Sequence, residues 1–379
     1  MPDLLLYGDT EHSAALRHEI PVAICDAFLY GEVGGRAYVM TWNLERARVA
    51  AARPDAALVE ISDLGFHELL GSGMSREEVE IELVSRAAKR IGVRAAVVDF
   101  DFPLGIAERL RADGIVIAVD EQTVSSRRRR KSDGELSGIR RAQAAAEAGI
   151  TAAADLLRAA TATDGTLYLD GEPLLAERVR TAMRDACWRM GALLGSQAIV
   201  ASVWQGVGHE PGSGPLPAGL PIQIDLWPQD EASACWADMT RTFVVGAPRS
   251  EEVSRQERLV RAALEGARDR VRPGVTGADL HAVCCEIFEA AGYRTQRTGP
   301  GENSDEGFQF SLGHGVGLRV HEEPGLGVGG RAALVAGDVI AIEPGLWDGD
   351  VGGVRFEDLL LVTADGCETL TSYPYDLSP

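Results

Sequence analysis

Between Ser311 and Glu357 the chain sets ionisable side chains inside runs that are otherwise apolar. The stretch opens as SLGHGVGLRVHEEP, continues through VIAIEPGLW and closes on VGGVRFEDLLLV. It carries His314, then His321, and two glutamates inside strand-like runs, Glu343 and Glu357. A carboxylate in a buried strand is costly unless its charge is met. Two of them with a histidine point to a cation. The fold must then bring separate strands to one point.

A second set of acids lies upstream, Asp225 in PIQIDLW and Asp238 in WADMTRTFVV. Side chains of a strand alternate between faces. Gln223, Asp225 and Trp227 therefore share a face, as do Asp238, Thr240 and Thr242. Val339, Ala341 and Glu343 align in a third strand, and Arg355, Glu357 and Leu359 in a fourth. Four strands can aim four carboxylates at one place, with His314 from a fifth segment. That is more negative charge than one divalent ion needs. It suits two metals sharing bridging carboxylates, a known way to make and hold a hydroxide nucleophile.

The set resembles the pita-bread metallopeptidases: aminopeptidase P, prolidase and methionine aminopeptidase. It is most similar to the Xaa-Pro aminopeptidase (aminopeptidase P) and prolidase branch, because a separate domain precedes it. The resemblance implies an α/β (α+β) fold. A creatinase-like N-terminal mixed α/β domain would precede a pseudo-twofold pita-bread catalytic domain. It implies a dinuclear-metal-dependent peptidase that hydrolyses an N-terminal peptide bond, a metallo-exopeptidase. Asp225 would chelate one metal, Asp238 and Glu357 would bridge both, and His314 and Glu343 would hold the other. A metal-bridged hydroxide would attack the scissile carbonyl, with Glu343 as proton shuttle. His209 and His321 would donate hydrogen bonds to the carbonyl oxygen or tetrahedral intermediate. Arg355, on the face of Glu357, would orient that carboxylate, and Thr240 would do the same for Asp238. The cofactor would be two divalent ions, Mn2+ first, with Co2+ or Zn2+ fitting the same donors. The partner implied is a peptide or dipeptide substrate, and the chain would form a homodimer or a tetramer.

A chain of 379 residues accommodates two domains, and 45% hydrophobic residues suffice for their cores. The net charge of −20 argues against a nucleic-acid partner, which needs basic faces. No apolar run reaches the ~20 residues of a membrane span. The early LLLY has no basic flank and is too short for a signal segment. The six cysteines show no CxxC and no disulfide framework, so reduced thiols in a cytoplasmic protein are expected.

Along the chain, residues 1–125 alternate strand-like and helical runs, a mixed α/β domain, which the resemblance implies shapes substrate access and contributes to oligomer contacts. PVAICDAFLY and GRAYVMT read as a hairpin, and AAVVDF and GIVIAVD as short buried strands. SREEVEIELVSRAAKRIG reads as a helix capped by Ser75 with Glu78. The basic run across 126–133 reads as a solvated linker, and 134–379 as the catalytic domain. That domain repeats an order of helix, helix and acid-bearing strands. Helices fall at 134–160 and 172–190, the latter starting near Pro173, then at 250–271 and 276–291. GLGVGG at 325–330 lacks the strand and helix that a dinucleotide loop requires.

Other positions depart from the family pattern. Phe310 stands where Xaa-Pro peptidases have a histidine near the proline side. Val203 and Trp204 bring bulk to the approach to His209, and Trp227 stands where glycine is common. These imply an altered side-chain preference. Two alternatives share the scaffold: a metal-independent, creatinase-like C–N hydrolase and a non-catalytic protein-binding module.

Overall fold

Six strands of the N-terminal unit form one sheet in the order Ala57–Glu60, Arg36–Thr41, Phe28–Val33, Asp3–Gly8, Ala95–Val98 and Val116–Val119. In this computed structural model, residues 2–202, 209–248, 250–301 and 306–379 are described. The chain divides into two compact units, Met1–Arg128 and Arg129–Pro379. The expected hairpin pairs Phe28–Val33 with Arg36–Thr41. Its turn is Gly34-Gly35, both at positive φ, which glycine adopts without strain. The helix Arg76–Arg90 starts with the expected capping box of Ser75 and Glu78 and buries Val79, Leu83 and Val84.

Two expectations change here. Val116–Val119 is an edge strand rather than a buried one, and Val116 and Val119 are both more than half exposed. The basic run is not a solvated linker. A helix covers Glu121–Arg129, and Ser132 already caps the next one with Glu135. The cause is local ion pairing. Arg127 meets Glu19 at 2.5 Å and Glu32 at 2.9 Å within the first unit. Within the second, Arg129 meets Asp338 at 2.6 Å and Lys131 meets Glu322. Acceptors with little solvent access fix these cations in place.

The second unit repeats its order. Helices Asp133–Ala159 and Ala176–Arg189 precede a sheet of Ile199–Ala201, Ile222–Leu226 and Met239–Phe243. Helices Glu251–Arg268 and Gly277–Ala290 precede a sheet of Gly313–Gly315, Val339–Ile342, Asp358–Val362 and Cys367–Thr369. A hairpin, Gly345–Asp348 with Gly352–Arg355, is inserted in the last. Pro173 does not start a helix. It pairs with Tyr168 in a short strand, and the helix begins at Ala176. The core of the second half packs Leu264, Phe288, Phe308, Leu346 and Phe356 behind the strands that carry the acids.

Candidate metal centre

Strand alternation delivers the acids. Asp225 lies in Ile222–Leu226 directly opposite Thr240, in antiparallel register. Asp238 immediately precedes its strand, Met239–Phe243. His314 is the middle residue of Gly313–Gly315. Its flanking glycines are required by close approach. A Cβ on Gly313 would collide with the carbonyl of Ala341, and one on Gly315 with the carbonyls of Glu322 and Glu323. Glu343 follows Val339–Ile342, anchored by its N–H to the carbonyl of Leu312 at 2.7 Å. Glu357 joins Gly352–Arg355 to Asp358–Val362, and its N–H donates to the Thr240 carbonyl at 3.1 Å.

These side chains meet in a cleft of about 380 Å³. It is lined by Asp225, Asp238, His314, Glu343, Arg355 and Glu357, with His209, His321, Gln197, Trp227 and Val320 around them. Ligand atoms lie within 4.8 Å of one another in three sets. Asp225, Asp238 and Glu357 form one, His314, Glu343 and Glu357 a second, and Asp238, His314 and His321 a third. The first two share Glu357, the first and third Asp238, and the second and third His314.

Asp225 Oδ1, Asp238 Oδ1 and Glu357 Oε1 are buried without a hydrogen-bond partner. Such oxygens are costly unless something positive meets them. Burial pushes Asp238 and Glu357 well above the usual carboxylate range, and the neighbouring carboxylates push them further. Burial also raises Glu343, to about 7, although Arg355 works against the rise. His314 Nδ1 lies 3.1 Å from the Gly315 carbonyl, so it carries the proton. That leaves the Nε2 lone pair facing Asp238 at 3.5 Å and Glu343 at 3.7 Å. Burial, then the His321 imidazole, lowers His314 to about 4, which keeps it neutral at physiological pH. Oxygen donors with one neutral imidazole fit Mn2+, Co2+ or Zn2+.

Two supporting residues hold partners other than those expected from the sequence. The Thr240 hydroxyl donates to Glu357 Oε2 at 2.8 Å, not to Asp238. Arg355 pairs with Asp225 and, at 3.3 Å, with Glu343, while its Nε donates to the Thr240 hydroxyl at 3.2 Å. The cross-strand register explains this. Thr240 faces Asp225, so a guanidinium that reaches Thr240 continues to Asp225. His321 lies edge-on to His314, with ring centroids 4.2 Å apart. Burial, then His209, lowers its pKa. His209 and His321 are both exposed at the cleft, where a substrate carbonyl could reach them.

Phe310 packs edge-on against Phe308 and Trp347, at 4.9 and 5.6 Å, and is not among the described residues lining the cleft. Val203 and Trp204 lie outside the described residues. Trp227 does line the cleft, as its shared face with Asp225 predicts. Gln197 and Val320 carried no sequence signal and are read from the structure alone.

The charge pattern sets a pH dependence for the metal-free protein. A carboxylate whose folded pKa is raised contributes stability below its unfolded pKa, and that contribution is lost as pH rises through the folded value. Three such groups surround the cleft, with Glu343 raised from 4.5 to about 7. The depressed His314 opposes them between about 4 and 6.5, one imidazole against three carboxylates. Metal-free protein should therefore lose thermal stability as pH rises toward 7. Mn2+ should raise the melting temperature more at pH 7.5 than at pH 5.5. Equal shifts at both pH values would show that cations do not bind this cluster.

Residues 137–364 match metallopeptidase family M24. A Xaa-Pro dipeptidase of Pyrococcus horikoshii is 38% identical over 141 residues, which span 37% of this chain and 37% of the relative's length. The solved prolidase of Pyrococcus horikoshii OT3 superposes with a TM-score of 0.76 at 23% identity, covering 100% of this chain and 95% of that one. The X-Pro aminopeptidase of Thermotoga maritima superposes with a TM-score of 0.76 at 21% identity, covering 98% and 96%. The fold is the expected one, an N-terminal α/β domain followed by a pita-bread domain.

Proposed function

The chain belongs to metallopeptidase family M24, and from that premise we propose that it is a divalent-cation-dependent exopeptidase of Xaa-Pro type, aminopeptidase P-like or prolidase-like. The observation that carries the reading is the pair of donor sets sharing Glu357, with buried carboxylate oxygens that lack partners. Asp225 would hold one cation, His314 and Glu343 the other, and Asp238 and Glu357 both, with Mn2+ first among the candidates. Bound cations would polarise the scissile carbonyl and lower the pKa of water.

The chain's own groups supply the rest. Glu343 would accept a proton from the attacking water at a carboxylate oxygen and pass it to the leaving nitrogen. His321 and His209 donate hydrogen bonds to the carbonyl oxygen as charge develops there. Arg355 holds Asp225 and Glu343 in place. The same partnerless oxygens weigh against the creatinase-like and the non-catalytic readings. The six cysteines are all unpaired, which supports a reducing, cytoplasmic setting.

The test is hydrolysis of Xaa-Pro dipeptides, Xaa-Pro tripeptides and their non-proline counterparts, with Mn2+ and with chelator. Cation-dependent release of the first residue is expected. No release from any of them would overturn the reading.

Two finer expectations follow. Trp227 is half-buried and lines the cleft with Asp225, so it takes up room that a substrate side chain would otherwise use. Trp227→Gly should raise kcat/KM for bulky first residues relative to glycine by about tenfold or more, the scale of reshaping an apolar pocket. An unchanged ratio would remove Trp227 from the specificity wall. A homodimer, with a tetramer as second choice, is supported by the N-terminal edge strand. Val116 and Val119 on that strand, and Phe100 and Leu104 of the same unit, are each more than half exposed. Sedimentation should show a dimer that Val119→Lys weakens.

A further inference from the structure

The acids of the cleft are carried by strands of separate sheets. Asp225 lies in Ile222–Leu226 and Asp238 just before Met239–Phe243, whereas Glu357 lies between two strands of the other half. Side chains of one short run, Thr240, Arg241 and Thr242, stitch the two together. Thr240 and Thr242 work on the cleft side. Thr242 Oγ1 donates to the Arg355 carbonyl and accepts from the Arg355 N–H, both at 3.1 Å.

Arg241 alternates to the other face, behind the cleft, and is 1% exposed. Its guanidinium has five N–H donors and makes five hydrogen bonds. Nη1 donates to the carbonyls of Thr240 at 2.9 Å and Glu357 at 2.8 Å. Nη2 donates to Asp358 Oδ1 and to the Tyr373 carbonyl, both at 2.9 Å. Nε donates to the Pro374 carbonyl at 2.9 Å. The Tyr375 hydroxyl donates to the other Asp358 oxygen, and its ring lies 4.7 Å from the guanidinium carbon. One cation thus grips the backbone beside Asp238, the backbone of Glu357 itself and a strap of chain at Tyr373–Tyr375.

We propose that Arg241, with Asp358 and the Tyr373–Tyr375 strap, is a positioning device that sets the spacing between Asp238 and Glu357, and so the affinity for the cations they share. This rests on the reading that the cleft holds divalent cations. A planar fork fixes two backbones at once, whereas a lysine ammonium cannot span them. Losing the fork lets the two carboxylates drift apart while each strand keeps its own sheet.

The test is calorimetric titration of Mn2+ into chelator-stripped protein, with equilibrium dialysis for stoichiometry. Arg241→Lys should bind Mn2+ about 10- to 100-fold more weakly, the range typical for groups that orient metal ligands. Tyr375→Phe, a milder change, should weaken binding in the same direction. Leu110→Ala, in the core of the N-terminal unit, serves as a destabilised control and should leave affinity unchanged. The proposal is overturned if folded Arg241→Lys binds within about threefold of the parent, or if the control loses as much. If Arg241→Lys does not fold, Tyr375→Phe decides, and unchanged affinity there overturns it. A parent that binds no Mn2+ overturns the underlying reading of the cleft and the proposal with it. That result is distinct from a parent and variant that bind equally.

Discussion

Asp238→Ala should leave the protein folded, strip the cleft of tightly bound divalent cation, and lower peptide hydrolysis by about three orders of magnitude, equivalent to about 4 kcal/mol of transition-state stabilisation. Asp238 belongs to two of the three donor sets, one with Asp225 and Glu357 and one with His314 and His321. Removing it therefore breaks the point at which the two halves of the cluster meet. Folding should survive, because an alanine at this position relieves repulsion. Asp238 is a buried carboxylate pressed by Glu357, Asp225 and Glu343. The metal-free variant should in fact melt at or above the temperature of the metal-free parent at pH 7.5. Elemental analysis of the purified variant and a melting curve in chelator check both halves. Retention of a full complement of Mn2+ with ordinary hydrolysis would remove Asp238 from the centre.

The second large effect is expected at Arg355. Its side chain is 8% exposed and pairs with Asp225 and Glu343, two acids from different halves of the unit. Burial disfavours its charge, yet the surrounding carboxylates hold its pKa above the ordinary value, so it stays charged. Removing one member of a buried ion pair leaves the other charge uncompensated, which costs about 3–5 kcal/mol. Arg355→Met should therefore lower the unfolding free energy of metal-free protein by about that amount at pH 7.5, measured by denaturant titration. The loss should shrink at pH 5.5, where more of the carboxylates are protonated. A loss smaller than about 1 kcal/mol, typical of an exposed pair, would show that the guanidinium does little for the cluster. Saturating Mn2+ should recover part of the stability, because cations then supply the missing positive charge.

The acid cluster was legible in the chain because strand alternation is rigid. Once Asp225 is placed on a strand, Gln223 and Trp227 share its face, and the cleft indeed contains Asp225 and Trp227. Arg355 and Thr240 were legible as members of the site for the same reason. Their partners were not. Alternation along one strand gives no register between strands. That register places Thr240 opposite Asp225 and sends the Thr240 hydroxyl to Glu357. Phe310 shows the same limit. The resemblance placed it where a histidine contacts substrate, but it did not show that the ring packs edge-on against Phe308 and Trp347.

The basic run at 126–133 failed in a different way. Its composition resembles a solvated segment, but charge runs are exposed only when no acid is positioned to meet them. Glu19 and Asp338 lie 108 and 209 residues from their arginines, Arg127 and Arg129, separations no local pattern can detect. Arg241 is the extreme case. Its five donors are all met by atoms brought from Thr240, Glu357, Asp358 and the Tyr373–Pro374 strap.

From its residues alone this chain showed four carboxylates and a histidine in or beside apolar strands, the donor types that divalent cations take. It also determined the helix start at Ser75, because capping is decided within a single turn. The tertiary structure alone decided which carboxylate each supporting side chain holds, which rings Phe310 packs against, and what Arg241 grips. Those are contacts between segments distant in the chain, and their geometry depends on how sheets are joined rather than on what any one strand contains.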